Sequence, residues 1–244
     1  MMPLPPPASS ALAMTPEALI SLMRLSSPAL PIGGFSYSQG LETAIDRGWV
    51  QTETDVLQWL EALLDANIGR FDAPLGLMLF RAAAQGDWAR MRTLHERWLA
   101  SRETSELLAE TLQMGQSLLQ MLAGLTLEDW VAQQVSELRA NQTVCALPLA
   151  WALAARGLGL APEAALTAWL WSWLENQVMA AIKAVPLGQQ AGQRLFTSLR
   201  PALARVIDDC MVHGADDASW SNFAPGFAIS CARHETQYSR LFRS

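Results

Sequence analysis

Cysteine and lysine are scarce in this sequence of 244 residues. Its three cysteines, Cys145, Cys210 and Cys231, are too few and too scattered for a disulfide framework, so we predict a reducing compartment, the cytoplasm. The formal net charge of −6 argues against nucleic acid as the main ligand, because neutralising phosphates requires a basic face, although a local basic patch remains open.

Long hydrophobic runs are also missing. The two most apolar stretches, residues 144–155 and 164–174, fall short of the roughly 18 to 20 residues that cross a bilayer. We therefore interpret them as buried core helices and predict no membrane-spanning segment. Residues 1–13 are rich in proline and lack the basic start of a secretory signal, so they are predicted to form a disordered, flexible leader.

β-branched residues are sparse, whereas apolar residues recur at three- and four-residue spacing in nearly every segment. The sequence therefore predicts an all-α fold, a single-domain multi-helix bundle of about ten helices over residues 14–214. With 51% hydrophobic residues, the chain can form a core without metals or disulfides. After Gly214 the helical signal fades, and residues 215–244 are predicted to be a flexible, partner-binding tail.

Several helix boundaries can be predicted from capping residues and breakers. Ser36 is positioned to cap a helix over residues 41–45. Thr52 with Asp55 forms a capping box at the start of the next helix. Residues 67–74 interrupt the apolar pattern, which predicts a break in the helix. Pro201 predicts a kink in a long helix near the end of the bundle.

The sequence carries no convincing catalytic motif. Gly33 and Gly34 resemble a phosphate-binding loop only in their glycines, because no Lys-Ser or Lys-Thr pair follows them and no strand precedes them. A Gly-X-Ser-X-Gly nucleophile elbow is also missing. We therefore predict no catalytic residues and no cofactor.

Two Cys-x-x-His pairs are the one hint of metal binding. Cys210 with His213 and Cys231 with His234 could supply four ligands. A cysteine and a histidine three residues apart arise easily by chance, so we favour one buried cysteine and one exposed histidine in each pair and predict no metal site. His95 stands beside charged residues and is predicted to be solvated.

Lys183 is the only lysine of the chain and follows an apolar stretch of helix. Its ammonium must extend to solvent, pair with a carboxylate or meet a partner. Pairing within the fold, for example with Glu175, and contact with a partner protein both remain open. A desolvated catalytic lysine is the third and weakest interpretation.

Aromatic and arginine side chains are concentrated in residues 234–244, which read HETQYSRLFRS. Such side chains dominate the energetics of protein interfaces, so this segment predicts a binding partner.

Three tryptophans lie on one predicted helix, where Trp169 and Trp173 share one face and Trp171 lies nearly opposite. That helix is surrounded either by its own core or also by a second subunit.

Three segments together resemble the UreF family of urease accessory proteins. They are SPALPIGGFSYSQGLE at residues 27–42, ENQVMAAIKAVPLGQ at residues 175–189, and the segment 234–244. The resemblance implies an all-α protein without an active site of its own, acting in assembly of the nickel centre of urease. It also implies partnership with the accessory protein called D or H, with the GTPase accessory protein G and with apo-urease, and it implies a homodimer.

Carried over position by position, the resemblance marks candidate partner-binding residues in the loop, at one helix position and in the tail. They are Gly33, Gly34, Phe35, Ser36, Tyr37, Glu42, Lys183, Tyr238, Arg240, Leu241 and Phe242. In a first hypothesis the tail is mobile until partner D/H orders it, with Arg240 bonded to the loop. In a second, the loop and Lys183 receive the GTPase.

Three alternatives remain open. The chain could regulate GTP hydrolysis by its partner rather than serve only as a scaffold. It could be a helical metal-dependent hydrolase, using the side chains of Asp209, His213, His234 and Glu235. A peripheral membrane protein would need a tryptophan stripe beside basic residues, and only Lys183 and Arg194 are basic near that stretch.

Overall fold

A computed structural model describes residues 14–244, and the predicted leader lies outside them. The described chain forms eleven α-helices and contains no strand, which confirms the all-α prediction. The helices are α1 Pro16–Leu25, α2 Leu41–Asp46, α3 Glu53–Leu63, α4 Ala73–Gln85, α5 Trp88–Ala100, α6 Ser105–Ala123, α7 Asp129–Ala140, α8 Leu147–Gly157, α9 Pro162–Ala184, α10 Gln189–His213 and α11 Pro225–His234.

The predicted break over residues 67–74 is wrong. A π-helix, Leu64–Asp72, joins α3 to α4 without interrupting the helical path. Pro74 does not end it, because proline is tolerated in the first turn of a helix, where its missing N–H is not needed. The wider turn brings its backbone close at Gly69, where a Cβ would lie 2.4 Å from the Leu64 carbonyl oxygen.

Sequence capping signals were right for α3 and wrong for α2. Thr52 and Asp55 form the predicted capping box. Ser36 instead belongs to a short 3-10 turn, and α2 begins after Gly40, whose φ of +76° is in the left-handed region that favours glycine. A Cβ on Gly40 would lie 2.9 Å from Ser230 of α11, so this glycine also permits close packing.

Helix α11 was not predicted. The sequence loses helical periodicity after Gly214, yet Pro225 occupies the first turn of a further helix. This short helix packs against α2 and buries Phe227 and Cys231. The residues after it therefore return to the loop before α2 instead of leaving the bundle.

One continuous core extends through the bundle, with α9 at its centre. Helix α9 contacts α1, α2, α4, α8 and α10. Trp169 packs on Phe80 and Trp98 at ring centroid distances of 5.9 and 5.6 Å, while Trp171 packs on Phe196 of α10 at 5.3 Å. The tryptophan-rich helix is thus surrounded largely by its own chain.

His95 is buried, contrary to the prediction of a solvated side chain. It is only 7% exposed, and its Nε2 accepts the Ala146 N–H at 3.0 Å. Burial lowers the pKa of His95 to about 4, so the ring is neutral near pH 7. It lies on the same face of α5 as Met91, Leu94 and Trp98, which also belong to the core.

None of the helices within residues 14–244 combines the length and the apolar character needed to cross a membrane.

Candidate functional site

Two segments far apart in sequence form the best-defined surface site. We call residues 33–42 the glycine loop and residues 235–244 the tail. The tail packs along the glycine loop and α6. Phe242 is only 6% exposed and belongs to the main core.

The glycine loop is held by its own turns and by α6. Gly33 has a φ of +76°, and the turn Gly34–Ser36 follows it. Tyr37 is buried, and its hydroxyl donates to Gln113 Oε1 at 2.9 Å. Burial raises the pKa of this phenol, so it stays a donor near neutral pH.

The backbones of the loop and the tail pair directly. The Arg243 N–H donates to the Ser36 carbonyl at 2.8 Å, and the N–H groups of Ser38 and Gln39 donate to the Ser244 carbonyl at 2.8 and 3.1 Å. The Ser38 hydroxyl adds a bond of 2.5 Å to that same oxygen. These four bonds fix the position of the tail end on the loop.

Arg240 does not bond to the glycine loop as predicted. Its guanidinium donates to Glu106 Oε1 of α6 at 2.5 Å, and its side chain is 39% exposed. Charge-assisted hydrogen bonds of this kind are stronger than neutral ones. Arg240 therefore joins the tail to α6, while backbone groups make the contact to the loop.

Glu42 joins the first turn of α2 to the tail. Its carboxylate accepts the N–H groups of Leu241 at 2.6 Å and Phe242 at 3.0 Å. The same carboxylate faces His234 Nε2 at 3.1 Å. One side chain therefore anchors the tail and also contacts the end of α11.

His234 is fully buried between two carboxylates. Its Nδ1 lies 2.6 Å from Glu106 Oε2, and its Nε2 faces Glu42. Both ring nitrogens therefore lie within hydrogen-bond distance of a carboxylate oxygen. Neither nitrogen is then free to coordinate a metal, which disfavours the Cys231-x-x-His234 pair as ligands.

The other proposed metal ligands do not assemble either. Across residues 14–244, no three His, Cys, Asp or Glu side chains are arranged to hold a metal ion. Glu235 instead accepts the N–H and hydroxyl of Ser105 at 2.8 and 2.6 Å, next to the start of α6. Burial raises the pKa of the Cys210 thiol to about 12, which keeps it protonated.

Glu110 forms a second buried connection, which the sequence analysis missed. It accepts Gln39 Nε2 at 2.6 Å and the Ser244 hydroxyl at 2.8 Å, and Gln39 Oε1 accepts Trp173 Nε1 at 2.8 Å. Burial raises the pKa of Glu110 to about 7. The spacing of Glu106 and Glu110 places both carboxylates on one face of α6, and that was the available signal.

Lys183 lies at the edge of this site. Its ammonium is 5.8 Å from the ring centroid of Phe242, and within the described part of the chain it makes no salt bridge. The pairing with Glu175 left open by the sequence is thus not formed. Lys183 is exposed, close to a tail that also presents Tyr238, fully exposed, and Leu241, 63% exposed.

The fold and this site define an all-α protein that holds a cationic and apolar tail on its surface, an arrangement typical of protein recognition. The family model described as UreF matches residues 50–200, and the chain belongs to the UreF family. The resemblance seen in the sequence is thereby confirmed. The matched span includes Lys183 and ends before the tail.

Relatives match over nearly the whole chain. The urease accessory protein UreF of Azoarcus sp. (strain BH72) is 50% identical over 232 residues, covering 93% of this chain and 95% of that protein. The urease accessory protein UreF of Azotobacter vinelandii is 52% identical over 224 residues, covering 92% and 98%. The chain is therefore a urease accessory protein of this family.

Proposed function

We propose that this chain is a cytoplasmic, homodimeric scaffold for assembly of the nickel centre of urease. In this role it binds accessory protein D/H, and the pair recruits GTPase G to apo-urease. Family membership supports the general role. The observation that carries the specific one is a tail whose backbone is anchored by Glu42 and the glycine loop while Tyr238 and Leu241 remain exposed.

Anchoring of the tail favours binding because it reduces the entropy lost on association. A free segment would have to be ordered by its partner, at a cost in affinity. Here the buried contacts of Phe242 and Glu42 already hold the tail in place. Partner D/H then needs to cover only the outward side chains, Tyr238 and Leu241.

Co-purification with D/H tests this step. The double variant Tyr238→Ala, Leu241→Ala removes two exposed side chains without touching the buried anchors. Loss of two interface anchors should cost about 2 kcal/mol or more, so binding should weaken at least about tenfold. Val212→Ala removes an equally exposed apolar side chain on α10 and should have no effect. Normal binding by the double variant would reject the assignment.

Recruitment of the GTPase is assigned to Lys183 and the adjoining loop. Lys183 is the only lysine of the chain and is exposed beside the tail, where its ammonium can pair with a partner's carboxylates. Lys183→Ala should weaken capture of G by the D/H complex while leaving D/H binding intact. Lys183→Arg should retain capture, and Arg92→Ala on α5 is a matched change of exposed charge. Equal capture by all variants would remove Lys183 from this surface.

Urease activation supplies the functional measurement. Cells that express apo-urease with the other accessory proteins should produce active urease with this chain and little without it. Light scattering of the purified protein tests the dimer, since a monomer at micromolar concentration would contradict that part of the proposal.

A further inference from the structure

A cavity lies between the segment 25–35 and the helices that pack beneath it. Its volume is about 110 Å³, several times the roughly 15 Å³ that accommodates one water. The segment 25–35 covers it, and helices α5, α6, α8 and α9 supply its walls. Five aromatic side chains line it: Phe35, Trp98, Trp151, Trp169 and Trp173.

The single cation in the cavity wall is already neutralised. Arg102 donates to Asp72 at 2.7 and 3.4 Å, with both side chains buried, and also bonds to the Ser101 hydroxyl. Its guanidinium lies 4.0 Å from the ring centroid of Trp98. Glu110 and Glu175 are the remaining charged groups of the lining, so the wall has an excess of acidic groups.

Unpaired acceptors remain in this wall. Among residues 14–244 the Glu175 carboxylate has no hydrogen-bond partner, and burial raises its pKa. Asn176 Nδ2 donates to the Tyr37 carbonyl at 3.0 Å, which leaves its buried Oδ1 without a donor. The Trp173 N–H is already used by Gln39. The cavity thus offers oxygen acceptors and aromatic faces, and the indole N–H groups of Trp98, Trp151 and Trp173 are already engaged.

We propose that this cavity binds a guanidinium or primary ammonium group carried on a small apolar body. The cation would donate N–H groups to Glu175 and Asn176 Oδ1, and the tryptophan faces would attract it and cover its apolar part. Such a group could belong to a free small molecule or to an arginine or lysine side chain. This inference rests on the cavity alone and does not depend on the proposed scaffold function.

Titration of the full chain with small cations tests the proposal. Methylguanidinium and n-butylammonium should shift the indole N–H resonances of Trp98 and Trp173 in a saturable way, with a Kd on the order of 1 mM. Urea is the neutral counterpart of methylguanidinium, with similar shape and N–H groups, and should bind at least about tenfold more weakly. Equal affinity for urea would overturn the role assigned to charge.

Variants locate the site and separate the two sources. Glu175→Gln keeps the side-chain shape and should weaken methylguanidinium binding at least about tenfold. Glu96→Gln, an exposed change on α5, should leave it unchanged. Comparable binding of the tripeptide Gly-Arg-Gly would favour a protein side chain as the source, whereas binding of the free cation alone would favour a small molecule. No saturable shift with any probe up to about 50 mM, or no effect of Glu175→Gln, would refute the proposal.

Discussion

Replacing Glu110 with glutamine should stabilise the protein in a pH-dependent way. Burial raises the pKa of Glu110 from the ordinary 4.5 to about 7. The folded chain therefore keeps a proton on this carboxyl after the unfolded chain has released it. The contribution of protonated Glu110 to the free energy of unfolding is complete below about pH 4.5 and is lost as the pH rises through about 7.

The size of the effect follows from the shift. Each pKa unit corresponds to about 1.4 kcal/mol, so the change from 4.5 to about 7 amounts to about 3 kcal/mol, most of it between pH 5 and 8. Glutamine cannot ionise, and its amide can still bond to Gln39 and the Ser244 hydroxyl. The variant should gain about 2 to 3 kcal/mol over the parent on going from pH 5 to pH 8.

Urea unfolding followed by tryptophan fluorescence at the two pH values measures this difference. Titration of all other groups cancels when the variant is compared with the parent at each pH. Glu96→Gln serves as the control, because Glu96 is exposed and should show no such gain. A stability difference between Glu110→Gln and the parent that is the same at pH 5 and pH 8 would refute the reasoning.

Three further predictions test other parts of the structure. Glu42→Gln should speed amide hydrogen exchange at Leu241 and Phe242 about tenfold or more, because the hydrogen bonds to their N–H groups are weakened. Glu53→Gln at the start of α3, away from the tail, should not change that exchange. Gly115→Ala should lower the free energy of unfolding by about 1 to 3 kcal/mol, since its Cβ would lie 2.2 Å from the Cys145 carbonyl oxygen, whereas Gly226→Ala, with no atom within 4 Å, should be nearly neutral. Burial lowers the pKa of His95 from 6.5 to about 4, so the neutral ring stabilises the fold fully above about pH 6.5 and this stabilisation is lost as the pH falls toward 4. Chemical unfolding should therefore show the parent losing stability relative to His95→Gln between pH 6.5 and 4. A stability difference between the two proteins that stays the same over that interval would contradict the burial argument.

The helical class and most helix boundaries could be predicted because they depend on local signals. Thr52 with Asp55 and the proline at the start of α9 act on neighbouring backbone groups, so the sequence contains the whole interaction. The π-helix could not be predicted in this way, since its wider turn depends on packing around Gly69. The prediction for His95 was wrong because it weighed Glu96 and Arg97, which follow directly, over the apolar residues Met91, Leu94 and Trp98, which share its helix face.

The candidate site depended on contacts that local patterns do not contain. The bond from the Phe242 N–H to Glu42 joins residues 200 positions apart. The family resemblance marked both Glu42 and Phe242 as candidate partner-binding residues but did not show that they are in contact. Glu106, Glu110 and Ser244 were missed because their role arises only when α6, the loop and the tail meet.

Truncation of the tail would be a poor test of partner binding in this fold. Removing residues 234–244 would eliminate His234 and the two N–H donors that face Glu42, leaving this largely buried carboxylate and that of Glu106 without their partners. Loss of these hydrogen bonds and of the buried Phe242 side chain would itself lower the free energy of unfolding, whether or not the tail binds anything. Substitutions at Tyr238 and Leu241 avoid this difficulty, because both side chains point away from the buried network. Loss of partner binding in that double variant, with an unchanged free energy of unfolding, would therefore separate recognition by the tail from its part in holding the fold together.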